Sequence, residues 1–177
     1  MAAKPTWSFS SIKTFDQCPK KYYHLKVAKD YTENFDTQPI LYGNEFHKAA
    51  EEYIGQDVVL DPRFEFARPV LDKLNSMEGE KLCEYRMGLT ANLEPCGFFA
   101  EDVWWRGVSD LTVLNRVTGV AKVIDYKTGK SAKYADKGQL ELMAMATFKH
   151  FPEIKVVKGG LLRAHCIVLE CPHNGRR

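Results

Sequence analysis

The chain has 177 residues, of which 45% are hydrophobic and 27% are charged, which is the composition of an ordinary folded protein. This length favours a single domain, residues 1–177, with a substantial hydrophobic core. The formal net charge of +2 is too small to indicate nucleic-acid binding by itself, so any such surface must be a local patch. No apolar run approaches the roughly 20 residues of a membrane span, and the amino terminus lacks a signal-peptide pattern. We therefore expect an intracellular protein.

The amino-terminal segment predicts two short helices. Ser8 and Ser10 can cap a helix that runs to about Gln17, and Pro19 can open a second. The following residues interleave basic and aromatic side chains: Lys20, Lys21, Tyr22, Tyr23, His24 and Lys26. Such a segment could grip backbone phosphates and stack on unpaired bases. Alternatively, the tyrosines belong to the core and the lysines form a solvated face.

Five cysteines are present, and no two form a Cys-x-x-Cys pair. They are Cys18, Cys83, Cys96, Cys166 and Cys171. An odd number in a chain without a secretion signal favours free thiols over a disulfide framework. We expect Cys18 to be a small buried residue.

Residues 30–39 are polar and irregular, which predicts a loop before a helix from Gly43 to Ile54. The apolar stripe of that helix contains Phe46, Ala49, Ala50, Tyr53 and Ile54. His47 lies at the margin of the stripe, where it could add a nitrogen ligand or a proton-transfer group to a site at the sheet edge. The alternative is a structural histidine at the boundary of the core.

A turn-rich stretch at residues 57–69 precedes a short helix from Val70 to Met77 and a strand from Lys81 to Leu89. Alternation along the strand gives it an apolar face of Cys83, Tyr85, Met87 and Leu89. Glu84 then shares the other face with Arg86, so an ion pair between these two side chains is one expectation.

Two β-rich runs, Val108 to Leu114 and Val120 to Lys127, flank a polar turn, which is typical of an antiparallel hairpin. In the register that this turn favours, Asp110 faces Asp125 with Cβ atoms about 5 Å apart. Two carboxylates at that distance each make ionisation of the other more costly, which favours a bound cation. Since side chains alternate along a strand, Lys127 shares the face of Asp125.

Two carboxylates and an ammonium around one point suit the metal-dependent hydrolysis of a phosphodiester. Carboxylate oxygens favour Mg²⁺ or Mn²⁺, and Lys127 could orient the attacking water or neutralise developing charge. The alternative is a surface hairpin with a simple ion pair. Against it, Val123 and Ile124 precede Asp125 without a polar break, which favours a strand buried on both faces. Charges at the end of such a strand are costly unless they are paired or bound to metal.

Beyond the hairpin, residues 128–134 form a lysine-bearing loop in which Lys130 could contact phosphate. Asp136 and Gln139 fit a capping box at the start of a helix that continues to about Phe151. Residues 156–170 predict one or two more strands, with His165 as a core or edge histidine.

Several of these segments together resemble the PD-(D/E)XK nuclease superfamily, and in particular its RecB-like exonuclease branch. The matching segments, in chain order, are Ser8 to Tyr23, Gly43-x-x-x-His47, Gly107-x-x-Asp110 and Ile124-Asp125-Tyr126-Lys127-Thr128-Gly129. Each motif is weak alone, but four in the right order are fairly specific.

The resemblance implies an α/β fold with a restriction-endonuclease-like core, in which helices flank a central mixed β-sheet. It implies an exonuclease that hydrolyses DNA at double-stranded ends or on single strands with Mg²⁺ or Mn²⁺. A helicase or recombination protein is the expected partner, in DNA recombination or repair, within the cytoplasm of a bacterial or phage-infected cell. The implied catalytic residues are Asp110, Asp125, Lys127 and His47. The implied metal ligands are His47, Asp110, Asp125 and the backbone carbonyl of Tyr126.

Gln139 matches the glutamine of the branch's Gln-x-x-x-Tyr helix, which helps to hold the DNA and the active site, although Met143 replaces the tyrosine. The predicted DNA-binding residues are Gln139, Lys20, Lys21, Tyr22 and Lys130. Glu84 resembles the extra acidic residue that many members carry on the first core strand. Some members hold an iron–sulfur cluster through a cysteine at the position of Cys18 and a carboxy-terminal trio. The trio is missing here, so we expect no cluster.

Two further expectations follow from the comparison with this branch. Its members commonly continue with another helix, so we expect a domain that is either short or truncated at its carboxy terminus. A function of another class is also compatible with the fold, namely a DNA-binding or recombination-accessory module that does not cleave. The presence of Asp110, Asp125 and Lys127 favours the enzyme.

Overall fold

The computed structural model describes residues 6–33, 37–128 and 137–163, together with the backbone of residues 166–174. The α-helices in these ranges are α1 Phe9–Gln17, α2 Pro19–Tyr22, α3 Gln38–Gln56, α4 Arg68–Asn75 and α5 Lys137–His150. A π-helical turn spans Tyr23–Ala28 and a 3₁₀ helix spans Pro62–Ala67. The strands are β1 Glu80–Leu89, β2 Pro95–Cys96, β3 Trp105–Asn115, β4 Val120–Lys127, β5 Val156–Arg163 and β6 Cys166–Asn174.

The strands form one mixed sheet in the order β2-β1-β3-β4-β5-β6. Strands β4 and β5 are parallel, as the intervening helix α5 allows, and the other neighbours are antiparallel. Helices α3 and α4 pack on one face around Phe46, Phe64 and Leu71, and α5 packs on the other around Met143 and Ala146. The predicted α/β fold, a central mixed sheet flanked by helices, is confirmed.

Two features of the amino-terminal half differ from the predictions. Helix α3 begins at Gln38 rather than Gly43, because Pro39 lies in its first turn, where a missing N–H has no cost. Cys18 is exposed, so the prediction of a buried residue is wrong. Its sulfur accepts a hydrogen bond from the N–H of Lys21 at 3.4 Å and caps α2, while Tyr22 fills the adjacent core.

The predicted hairpin register is confirmed between Leu111↔Ile124 and Asn115↔Val120. The main-chain pairing of β3 with β4 ends at Leu111↔Ile124, one position before Asp110 and Asp125. These two carboxylates therefore do not form the directly opposed pair that the sequence predicted. The strands diverge at the level where they lie.

Strand β1 is kinked at the same level. Leu82 and Tyr85 both pack against the α5 side of the core, whereas Cys83 packs on the α3 side. Strict alternation would have separated Leu82 from Tyr85, and it predicted, wrongly, that Cys83 shares a face with Tyr85. The cause is Glu84, whose φ of 47° is left-handed.

Strand β3 shows a matching irregularity. Ser109 and Thr112 are both buried, and the Thr112 hydroxyl donates to the Ser109 hydroxyl at 2.9 Å, so they lie on one face although they are three positions apart. The pairs Cys83↔Leu111 and Tyr85↔Ser109 place Glu84 across from Asp110. The alternation of both strands thus changes at these two acidic residues.

In the part of the chain that the structure describes, no helix combines the length and apolar character needed to cross a membrane.

The approach of β1 to β3 depends on Gly79, which has a φ of 127°. A Cβ at this position would lie 2.6 Å from the carbonyl oxygen of Leu114. We predict that Gly79→Ala lowers the free energy of unfolding by about 1–3 kcal/mol, as overpacking and an unsuitable φ each do.

Urea denaturation measures this change, with Gly97→Ala as the matched control. A Cβ at Gly97 has no heavy atom closer than 3.8 Å, so its effect should stay within about 0.5 kcal/mol. Equal stabilities for the two variants would contradict the close contact between β1 and β3.

Candidate active site

Asp110 occupies the point where β3 and β4 diverge. Its Oδ2 accepts a hydrogen bond of 2.6 Å from the main-chain N–H of Tyr126. The carboxylate thus takes a donor on β4 at the point where the pairing of the two strands stops. This contact fixes one oxygen and leaves Oδ1 directed towards α3, where His47 lies 3.3 Å away.

Helix α3 positions His47 over this opening. Its neighbour Phe46 is fully buried among Phe64 and Tyr126, which fixes the rotation of the helix. His47 Nδ1 lies 3.3 Å from Asp110 Oδ1, and Nε2 lies 3.1 Å from the carbonyl oxygen of Tyr126. Burial tends to lower the pKa of His47, but the hydrogen bond and charge of Asp110 outweigh it and raise the pKa.

Glu84 completes a group of three possible ligands with His47 and Asp110. One donor atom of each residue lies within 4.8 Å of the other two. Burial and the nearby charge of Asp110 raise the pKa of Glu84. Glu84 and Arg86 are not within ion-pair contact, so that expectation is wrong, although the charge of Arg86 opposes the rise in the pKa of Glu84.

Asp125, Lys127 and Gln139 form a second cluster beside the first. Lys127 Nζ lies 2.6 Å from Asp125 Oδ2, and it donates to Gln139 Oε1 at 3.2 Å. Gln139 in turn donates through Nε2 to Asp125 Oδ1 at 2.7 Å. The Gln139 side chain therefore links Asp125 to Lys127, whereas the predicted capping box with Asp136 lies outside the described residues.

Asp125 is only 7% exposed, and its ionised form is correspondingly costly. Burial and repulsion by Asp110 raise its pKa to about 6, despite the opposing effect of Lys127. The ammonium of Lys127 lies against Oδ2 at 2.6 Å and neutralises part of its charge.

The donor set fits a divalent metal ion. Carboxylates of Glu84 and Asp110 and the imidazole of His47 can converge on one point, and the Tyr126 carbonyl borders the same opening. Asp125 lies outside the three-residue group but interacts electrostatically with both Asp110 and His47. The predicted ligands are thus neighbours, and Glu84 joins them. In the sequence, Glu84 is recognisable as an acidic residue within an apolar strand. Its left-handed φ could not be predicted from the sequence.

The predicted DNA-binding residues differ from one another in exposure and in their contacts. Tyr22 is 6% exposed and stacks on Trp7 with a centroid distance of 5.2 Å, so its predicted stacking on bases is wrong. Lys21 forms an ion pair with Glu33 at 2.6 Å, and Lys20 is exposed. DNA contacts by these two lysines stay predictions. Lys130, Asp136 and His165 lie outside the described residues.

Comparison with known proteins bears on this geometry. No curated protein matches the chain. Among solved structures, an Eubacterium rectale protein provisionally named an exonuclease shares 13% identity at a TM-score of 0.54, over 98% of this chain and 74% of its own, which supports the fold alone. The structure of SSO0001 shares 13% identity over 97% of this chain and 67% of its own, but its TM-score of 0.44 is too low for an argument. The family model of the PD-(D/E)XK nuclease superfamily matches residues 6–164, and the chain therefore belongs to that superfamily.

Proposed function

We propose that the chain is a DNA exonuclease of the RecB-like type that depends on Mg²⁺ or Mn²⁺. The observation that carries this proposal is the convergence of buried carboxylates with an imidazole and an ammonium at the opening between β3 and β4. Membership of a nuclease superfamily supports hydrolysis of a phosphodiester. The oxygen-rich donor set supports a hard divalent cation.

The proposed ligands are His47, Asp110, Asp125 and the carbonyl of Tyr126, with Glu84 as an additional carboxylate. A cation held by them would polarise the scissile phosphate and lower the pKa of the attacking water. Among the remaining groups, Lys127 places a positive charge where charge accumulates in the transition state. Gln139 orients Lys127 through its Oε1 and holds Asp125 through its Nε2, so it is a positioning residue.

The exonuclease type is tested by DNA topology. The purified chain should degrade end-labelled linear DNA with Mg²⁺ or Mn²⁺ and leave covalently closed circular DNA intact, and EDTA should abolish the reaction. Asp110→Asn should be inactive, because it replaces a charged ligand by a neutral amide. Cleavage of the closed circle would assign an endonuclease. Binding to DNA without cleavage of either substrate would instead support a non-cleaving accessory module.

We also propose that Lys20, Lys21, Gln139 and Lys130 contact the DNA, and that a helicase or recombination protein supplies the DNA end in repair or recombination. The exposed position of Lys20 is compatible with a phosphate contact. Lys21 is paired with Glu33 at 2.6 Å, so we expect it to contribute less to the affinity than Lys20 does.

The affinity for Mn²⁺ should fall as the pH is lowered through about 6. The pKa of Asp125 is raised to about 6, so below that value the carboxyl is protonated and a weaker ligand. The pKa of His47 is also raised, so its protonated form persists to higher pH. Protonated His47 cannot bind the metal, which lowers the affinity for Mn²⁺ as well. For each proton that must leave before the metal binds, the affinity for Mn²⁺ should fall roughly tenfold for every pH unit below the pKa of that group.

Isothermal titration calorimetry with Mn²⁺, from about pH 5 to about pH 8, measures this dependence. Asp125→Asn serves as the comparison, since it should bind weakly throughout and show a shallower pH profile. A constant wild-type affinity over this range would contradict the assignment of Asp125 and His47 as ligands.

Lys127→Ala should reduce single-turnover cleavage about 100- to 1000-fold, the usual cost of losing one group that stabilises developing charge. DNA affinity in Ca²⁺ should stay nearly unchanged, because the carboxylates and the distant lysines remain. An exposed ion pair, worth about 1 kcal/mol or less, could not produce so large an effect.

Lys122→Ala is the matched control for this variant. Lys122 lies on the same strand, β4, but its Nζ contacts the sulfur of Met77 at 3.3 Å on the α3 and α4 side of the sheet. Cleavage by Lys127→Ala within a few-fold of the Lys122→Ala rate would remove the catalytic role of Lys127.

A further inference from the structure

The segment after β2 presents two phenylalanines at the surface. Phe99 is 74% exposed, and Phe98 meets it edge to face at a centroid distance of 4.9 Å. Two arginines lie over these rings. Arg106 Cζ is 5.0 Å from the centroid of Phe98 and 5.7 Å from that of Phe99, and Arg86 Cζ is 5.6 Å from Phe98. We refer to Arg86, Phe98, Phe99 and Arg106 as the arginine–phenylalanine platform.

Gly88 explains how this platform is held on the sheet. A Cβ at Gly88 would lie 2.8 Å from the carbonyl oxygen of Gly97 and 3.0 Å from that of Cys96. The absence of a side chain therefore lets the chain after β2 cross closely over β1. The crossing brings Phe98 close to Arg86 on β1 and Arg106 on β3. These arginines are diagonal neighbours across the two strands, since Arg86 pairs with Val108 and Arg106 pairs with Gly88.

The platform shares a sheet face with the candidate active site. Met87 and Trp105 are buried in the core on the α5 side, so their neighbours Arg86 and Arg106 point to the opposite face. Glu84 and Asp110 converge with His47 of α3, which packs on that same face.

The spacing fits a nucleic-acid strand that continues from the cleavage site. Arg86 follows Glu84 by two positions along β1, a distance of about 7 Å, and Arg106 precedes Asp110 by four positions along β3, about 13 Å. At about 3.4 Å for each stacked nucleotide, these distances correspond to roughly two to four nucleotides.

The chemistry of the platform favours unpaired nucleotides. An exposed aromatic ring offers a face on which any base can stack, and a guanidinium can contact both a base plane and a phosphate. Neither Arg86 nor Arg106 has an ion-pair contact with a carboxylate among the described residues. Glu101 and Asp102 are exposed in the same connection, so charge alone would attract DNA weakly. Stacking must then supply the affinity, and the bases of an intact duplex are not available for it.

We propose that the arginine–phenylalanine platform binds an unpaired nucleic-acid strand next to the scissile phosphate, so that the substrate is a single strand or a frayed duplex end. This inference rests on the proposed nuclease function and adds the substrate class to it.

Fluorescence anisotropy with a labelled single-stranded oligonucleotide in Ca²⁺ tests the platform without requiring cleavage. Phe99→Ala should weaken single-strand binding about 5- to 150-fold, which is the range for loss of one stacked base. The double variant Phe99→Ala/Arg106→Ala should bind the single strand more weakly still. Phe99→Trp should retain wild-type affinity, because it preserves an aromatic face. Binding of a blunt duplex should be weak and nearly the same in every variant.

Two matched controls lie at the opposite end of the sheet. Val117→Ala removes a side chain that is 99% exposed, and Arg116→Ala removes a guanidinium that lies 5.5 Å from the ring of Phe151. Both should bind the single strand as wild type does. Phe99 is largely exposed, so circular dichroism and urea unfolding should show an intact fold in Phe99→Ala.

The outcomes separate the platform from the nuclease proposal. Wild-type affinity of Phe99→Ala and of the double variant with Arg106→Ala would overturn the platform, and so would an equal loss of single-strand and duplex binding. Cleavage of DNA by the wild type with Mn²⁺ is measured independently. If that cleavage is absent while the variants lose single-strand binding, the nuclease proposal fails and the platform stands.

Discussion

The hydrogen bond from the Tyr126 N–H to the Asp110 carboxylate is the constraint on which the site depends. A buried main-chain N–H needs an acceptor, and here a side chain provides it at the level where the pairing between β3 and β4 stops. The two strands can then diverge without leaving this donor unsatisfied. The divergence exposes the Tyr126 carbonyl to His47 and opens a space bordered by carboxylates.

The same arrangement is costly for the free protein. Burial raises the pKa of Asp125 and of Glu84, and in both cases the charge of Asp110 adds to the rise. Lys127 offsets this repulsion at Asp125, and His47 offsets it at Glu84 and Asp110. Local rules of sequence and structure are commonly violated at functional sites, and the left-handed Glu84 is such a violation. A bound cation would relieve the repulsion that these residues create.

The sequence predicted the sheet and the hairpin register because hydrophobic alternation and turn composition are local properties. It placed Asp125 and Lys127 together for the same reason. It could not predict the kink, since nothing in the residues near Glu84 distinguishes a left-handed φ from an extended one. Alternation therefore paired Glu84 with Arg86 and assigned Cys83 to the wrong face. The contact of Gln139 with Asp125 could not be predicted from the sequence either, because it depends on how α5 packs against β4.

The central claim is that the kink and the divergence together assemble one cation site. Anomalous diffraction from crystals soaked in Mn²⁺ tests it most directly. The account predicts a peak bound by Asp110 and by the Tyr126 carbonyl oxygen at about 2.0–2.5 Å, with Glu84 or Asp125 completing the coordination. A peak confined to surface carboxylates, or none while Asp110 still accepts from the Tyr126 N–H, would contradict it.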